Sequence, residues 1–170
     1  MTVPNNIILI GFMGSGKSTI GRILANELNY KQLDTDSMIE RISGKSIADL
    51  FNSSESYFRT WEHTVCKGFP RLSNHVISTG GGIIVQQHCR DLLQQSGRVI
   101  YLKISAAAVL DRLKDDQRRP LLQKPNRSEI IENLLQEREA LYNSTCHHCI
   151  TVDELSKDDV IAHILALLEQ

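Results

Sequence analysis

The sequence predicts an α/β fold in which a parallel sheet is covered on both faces by helices. Three observations lead there. Short apolar runs alternate with helical patterns along all 170 residues. The runs are largely continuous in apolarity, as strands buried on both faces require. Helical patterns fill the intervals between successive runs, which implies βαβ crossovers. No internal repeat, low-complexity tract or dividing linker interrupts this rhythm, so residues 1–170 read as one domain.

The candidate strands are Asn6–Ile10, Lys31–Asp34, His75–Thr79, Arg98–Lys103 and His148–Val152. After the first strand, Thr19–Leu28 places Ile20, Ile23, Leu24 and Leu28 at helical spacing, and Asn29 suits the stop. Between the second and third strands lie Ser37–Ile42, Ile47–Phe51 and Ser56–Phe69, more helix than one crossover needs. That excess predicts a small subdomain over residues 37–69. His88–Gln95, Ala106–Lys114, Ser128–Tyr142 and Asp158–Leu168 complete the helices. The polar stretch Lys114–Arg127 carries Arg118, Arg119, Pro120, Pro125 and Arg127, and a loop of this length in a compact domain usually has a function, often as a lid.

Composition excludes several classes of function. The chain is 41% hydrophobic, enough for a sizeable core, and its net charge of −1 gives no duplex-binding surface. No apolar stretch approaches membrane-spanning length, and no basic segment leads a long apolar one. Cysteines 66, 89, 146 and 149 are scattered, which suits reduced thiols in a cytoplasmic protein. Cys146-His147-His148-Cys149 holds four metal-capable side chains, but four consecutive residues wrap one tetrahedral ion poorly. An accidental cluster is the simpler reading.

The chemistry concentrates where strands end. Gly11–Ser18 reads Gly-Phe-Met-Gly-Ser-Gly-Lys-Ser and fits G-x-x-x-x-G-K-[ST] at every fixed position. Its glycines let backbone N–H groups point at phosphate oxygens, with Lys17 placed for the outer phosphates and Ser18 for Mg²⁺. Open α/β sheets bind ligands outside the carboxyl ends of their strands. The second strand ends in Asp34-Thr35-Asp36 and the third in Gly80-Gly81-Gly82. Extended, Asp34 and Asp36 would project to the same side, one carboxylate supporting Mg²⁺ and the other facing a hydroxyl. Capping of the helix near Ser37 is the alternative for the pair. Asp153, closing another apolar run, is a second candidate for the metal. The triple glycine allows either a sharp turn or close approach to a ligand.

Two arginines stand out. Arg138 shares a helical stripe with Ile131, Leu134 and Leu141, so it needs an anion, which could be a ligand or an internal Glu. Arg59 adjoins Phe58, Trp61 and Val65, with Glu62 one turn on; a solvated surface pair is the alternative. Arg119 in the loop could clamp a transferring phosphate. Together these residues imply a kinase for a small hydroxylated anion gripped by forked guanidinium pairs.

Gly11–Ser18, Leu33-Asp34-Thr35-Asp36, Phe58-Arg59-x-x-Glu62, Gly80-Gly81-Gly82, Arg119-Pro120-Leu121-Leu122 and Arg138-x-x-Leu141-Tyr142 occur in one order along nearly the whole chain. This combination resembles the shikimate kinase family. The resemblance implies a P-loop, nucleoside-monophosphate-kinase-like three-layer sandwich. Its five-stranded parallel sheet would have the order 2-3-1-4-5, with a substrate-binding subdomain at 37–69 and a mobile lid at 114–127. It implies ATP-dependent phosphorylation of the shikimate 3-hydroxyl on the route to chorismate and aromatic amino acids.

By matching position, Lys17, Asp36 and Arg119 would be catalytic. Gly14, Ser15, Gly16, Lys17, Ser18, Thr19, Arg112 and Arg119 would bind ATP, Arg112 by stacking on adenine. Asp36, Arg59, Gly80, Gly81 and Arg138 would bind shikimate, and Ser18 and Asp34 one Mg²⁺. The partners expected are shikimate and ATP, without nucleic acid or membrane, and with a monomeric chain. Some relatives place a proline against adenine after the last strand; Asp153-Glu154-Leu155-Ser156-Lys157 has none. A gluconate-type kinase is the nearest rival. A GTPase switch would need Asn-Lys-x-Asp and Asp-x-x-Gly, and neither string occurs.

Overall fold

A computed structural model describes residues 5–116 and 124–169. The strands β1 (Ile7–Ile10), β2 (Lys31–Asp34), β3 (His75–Ser78), β4 (Arg98–Lys103) and β5 (His148–Thr151) form one parallel sheet. Their order is β2-β3-β1-β4-β5, as the resemblance implied. Central strand β1 sets Ile8 opposite Ile77 on one side and Val99 on the other.

The period of two along β1 explains the three layers. Ile7 and Leu9 join the core of one face with Ile20 and Leu24 from α1 (Lys17–Glu27) and Ile164 from α8 (Lys157–Leu168). Ile8 and Ile10 join the other face. There they meet Phe58 and Val65 from α4 (Glu55–Cys66), Leu93 from α5 (Gln87–Ser96) and Tyr142 from α7 (Arg127–Thr145). Ile8 and Ile10 are wholly buried, so truncating either to alanine should cost about 2–5 kcal/mol. Edge strand β2 exposes Lys31 and Gln32, which discourages pairing with a foreign strand.

Between β2 and β3 run α2 (Thr35–Ser43), α3 (Ile47–Ser53) and α4. Ser46 and Ser54 cap α3 and α4 by accepting from the amides of Asp49 and Tyr57. Phe51 of α3 stacks on Phe58 of α4 with centroids 4.2 Å apart. The last crossover contains α6 (Ala106–Arg112) and α7. Of the expected lid at 114–127, residues 117–123, including Arg118, Arg119 and Pro120, lie outside the described residues.

Most elements differ from the sequence reading by one to three residues at an end, and two helix starts differ for local reasons. Helix α1 starts at Lys17, two residues early, because Gly16 takes the left-handed turn that launches it. Helix α2 starts at Thr35 because Asp34 caps it. Asn29 is left-handed, with φ of 54°, and ends the α1 segment as read.

Candidate active site

The phosphate loop follows β1 and ends where α1 begins. Gly16 has φ of 92°, a conformation a side chain would strain, and it turns the first amides of α1 toward the loop. The buried Lys17 ammonium spans the loop, donating to Phe12 O at 2.8 Å and Ser15 Oγ at 3.3 Å. Ser78 Oγ donates to Lys17 O at 2.9 Å, tying the end of β3 to the first turn of α1. Gly14, Ser15, Gly16, Lys17, Ser18 and Thr19 therefore form one loop and helix start, an anion-binding geometry.

Asp34 caps α2 and also bonds Ser18 of the phosphate loop. Its Oδ2 accepts the Ser18 hydroxyl at 2.8 Å. Its Oδ1 accepts the amides of Asp36 at 3.1 Å and Ser37 at 3.2 Å, capping α2. Asp36 sits in the first turn of α2, not on an extension of β2. Asp34 and Asp36 therefore do not form the extended pair that their spacing suggested, because the cap bends the chain between the two carboxylates. Asp36 instead faces the glycine loop: a Cβ on Gly80 would lie 2.7 Å from Asp36 Oδ1. The buried Thr35 hydroxyl accepts from Gly80 N at 2.8 Å, fixing the same loop from below. Asp153 is engaged elsewhere, accepting from Ser105 N at 2.9 Å, so Asp34 is the carboxylate beside Ser18.

Arg59 is no solvated surface pair. It is 9% exposed, and its Nη1 donates to Glu62 Oε2 at 2.6 Å while Nη2 donates to Glu55 Oε1 at 2.8 Å. Burial works to lower its pKa, yet Glu62 and Glu55 hold it above the ordinary value. Burial pushes the Glu62 carboxyl up to about 7; the Asp36 charge adds to the rise, and Arg59 and Arg138 oppose it. A Cβ on Gly82 would overlap the Arg59 guanidinium. None of Gly80, Gly81 and Gly82 has a positive φ. Close approach, not a special turn, therefore accounts for at least the third glycine.

Arg138 lies half-buried on α7, with its guanidinium carbon 5.8 Å from the ring centre of Phe12 in the phosphate loop. Among the described residues it forms no salt bridge, although its charge acts on the buried Glu62 carboxyl. Sequence reasoning assigned no task to Tyr142, one turn further along α7. It is wholly buried, stacks on Tyr101 at 4.7 Å, and donates from its hydroxyl to Gly81 O at 2.5 Å. Its spacing of four from Arg138 was the available signal, since that spacing shares a helix face. Thr35, between two aspartates, carries no sequence signal of its own for its bond to Gly80.

Arg112 ties the phosphate loop to the segment after β5. Its Nη1 donates to Gly14 O at 3.2 Å and its Nη2 to Asp153 O at 3.1 Å. Far from this edge, the Cys146–Cys149 cluster serves ordinary packing. Val99 N donates to His147 Nδ1 at 2.9 Å, and the Cys146 thiol turns to Asn143 O at 3.6 Å. No three His, Cys, Asp or Glu side chains among the described residues are arranged to hold a metal ion. No helix among them is long and apolar enough to cross a membrane.

The family model for shikimate kinase matches residues 13–169. The chain belongs to the shikimate kinase family. A shikimate kinase from Sulfurihydrogenibium sp. (strain YO3AOP1) is 40% identical over 97% of this chain and 98% of its own length. The solved shikimate kinase from Acinetobacter baumannii, in complex with shikimate, is 39% identical with a TM-score of 0.91. It covers 98% of this chain and 93% of its own. The shikimate kinase from Aquifex aeolicus is 36% identical with a TM-score of 0.83, covering 96% of each chain.

Proposed function

We propose that the chain transfers the γ-phosphoryl group of ATP to the 3-hydroxyl of shikimate, giving shikimate 3-phosphate and ADP on the route to aromatic amino acids. The observation that carries this reading is the placement of Arg138. A guanidinium without an ion pair among the described residues lies against Phe12 of the phosphate loop. An anionic acceptor held there is within reach of the nucleotide's outer phosphates, and family membership names the acceptor.

Each residue then has a task. Amides of Gly14–Thr19 and the Lys17 ammonium would hold the β- and γ-phosphates, and Lys17 would stabilise charge on the transferring group. Arg112, already spanning Gly14 and Asp153, would flank the adenine. Arg119 is assigned to the transferring phosphate on its motif alone, as the closing segment 114–127 is assigned as lid.

Asp36 would accept a hydrogen bond from the reacting hydroxyl and orient its lone pair toward phosphorus. The Arg138 fork would grip the shikimate carboxylate, with backbone at Gly80 and Gly81 forming the floor. Arg59 would add charge at the same pole. Its Glu55 pair is exchangeable, since Glu55 is 65% exposed and such pairs contribute at most about 1 kcal/mol. The helices of residues 37–69 would form the substrate wall.

Ser18 Oγ and Asp34 Oδ2, 2.8 Å apart, are hard oxygen donors that fit one Mg²⁺ completed by phosphate oxygens and water. When bound, that ion neutralises charge on the phosphates. The four cysteines, none of them in a disulfide, suit a reducing cytoplasm. Incubation with ATP and shikimate, followed by phosphorus and proton NMR of the product, tests the reading. Coupling of the new phosphate to the proton at carbon 3 is expected. A phosphate at another hydroxyl, or on gluconate in preference to shikimate, would overturn it.

A further inference from the structure

Tyr142 lies wholly buried on α7, one turn beyond Arg138. Its hydroxyl carries one proton, and that proton goes to Gly81 O, 2.5 Å away. Arg138, one turn back on α7, faces the same hydroxyl. The hydroxyl thus has a guanidinium as a neighbour and gives its proton to a backbone carbonyl of the β3 loop. The ring is fixed from below by its stack on Tyr101, an anchor in the central part of the sheet. A buried, stacked phenol cannot slide along its helix face, so it acts as a spacer of set length.

We propose that Tyr142 is a positioning residue for the acceptor carboxylate, joining the Arg138 fork on α7 to the Gly81 backbone after β3 so that both meet one anion at fixed separation. The proposal rests on the shikimate reading above and adds how the grip keeps its geometry. Two elements remote in sequence supply the grip, and neither covalent structure nor an ion pair among the described residues links Arg138 to the loop. A fork that can drift against its backbone partner loses bidentate alignment before it loses charge. The polarity of the hydroxyl matters too. Burial pushes the Tyr142 phenol well above its ordinary range, so it stays a proton donor throughout the working pH range.

Tyr142→Phe removes the bridging oxygen and keeps the ring and its stack. The wild-type enzyme and this variant should be compared for shikimate and for an analogue bearing a hydroxymethyl group in place of the carboxylate. The expected result is a rise of about five- to tenfold in KM for shikimate, the scale of one lost hydrogen bond. The KM for ATP and kcat should move less than about twofold. The loss should be absent for the analogue and absent again when Tyr142→Phe is placed in an Arg138→Lys background, since the fork it served is gone. A general weakening of the fold would instead degrade both ligands alike and add to the Arg138→Lys loss, and either outcome would overturn the proposal. An unchanged KM for shikimate would do so as well. If the wild-type enzyme fails to phosphorylate shikimate at all, the functional reading fails first, and the two failures are told apart.

Discussion

Replacing Arg59 by methionine should produce a stability defect that grows with pH. The reason lies in Glu62, whose carboxyl is raised from its ordinary 4.5 to about 7, by burial first. Between those two values the native state binds more protons than the unfolded chain, so stability falls as pH rises, by about 1.4 kcal/mol per unit. In the wild-type protein this amounts to about 3 kcal/mol in all and levels off above pH 7. Arg59 is the largest influence holding the Glu62 carboxyl down, through charge and through the 2.6 Å hydrogen bond. Without it the carboxyl titrates above 7, and the decline continues through pH 8 and beyond. The cost of Arg59→Met should therefore be modest at pH 6 and grow by about 1.4 kcal/mol per unit above pH 7. Its ceiling is the roughly 3–5 kcal/mol of a broken buried pair. Urea unfolding at pH 6, 7, 8 and 9 measures this, with Arg59→Met/Glu62→Gln as the control that should lose the pH dependence. A cost for Arg59→Met that is the same at every pH would refute the reasoning, because Glu62 would then not be the titrating partner.

Arg138→Lys should weaken shikimate binding by about 1.5–3 kcal/mol, the range for charge-assisted hydrogen bonds, while the melting temperature barely moves. A large fall in melting temperature with affinity intact would make Arg138 a structural cation. Asp36→Ala should abolish phosphoryl transfer to shikimate yet leave ATP affinity, read by calorimetry, close to wild type. Lys17→Ala should lower turnover by orders of magnitude at saturating substrate, because its charge is needed most as the phosphoryl group transfers. Asp34→Ala should cost about 1 kcal/mol of stability through the lost cap, and should also raise the Mg²⁺ concentration needed for half-maximal rate. A stability loss without the second effect would leave Asp34 as a cap only.

The fold was legible because its signals are local. Ile7–Ile10 is apolar at every position, and so short a run leading into a glycine loop suits a strand buried on both faces. The phosphate loop declares itself through fixed glycine spacing. What the sequence could not settle were contacts made across the chain. The spacing of Asp34 and Asp36 favoured an extended pair, but capping geometry placed the second on a helix. The Arg59–Glu62 pair could be read from its spacing of three. Its burial could not, because that depends on Gly82 drawing the β3 loop against the guanidinium. Tyr142 only ends a motif in the sequence; its contact appears only when Gly81, 61 positions away, is seen to accept its proton.

The central claim is that this loop and this pair of arginines serve one acceptor. The most direct test is ADP release from ATP and Mg²⁺, measured by a coupled assay with shikimate present and absent. The account predicts rapid ADP formation that needs shikimate and saturates with it, against a negligible background. ADP formation at the same rate without shikimate, or none with it, would contradict the account.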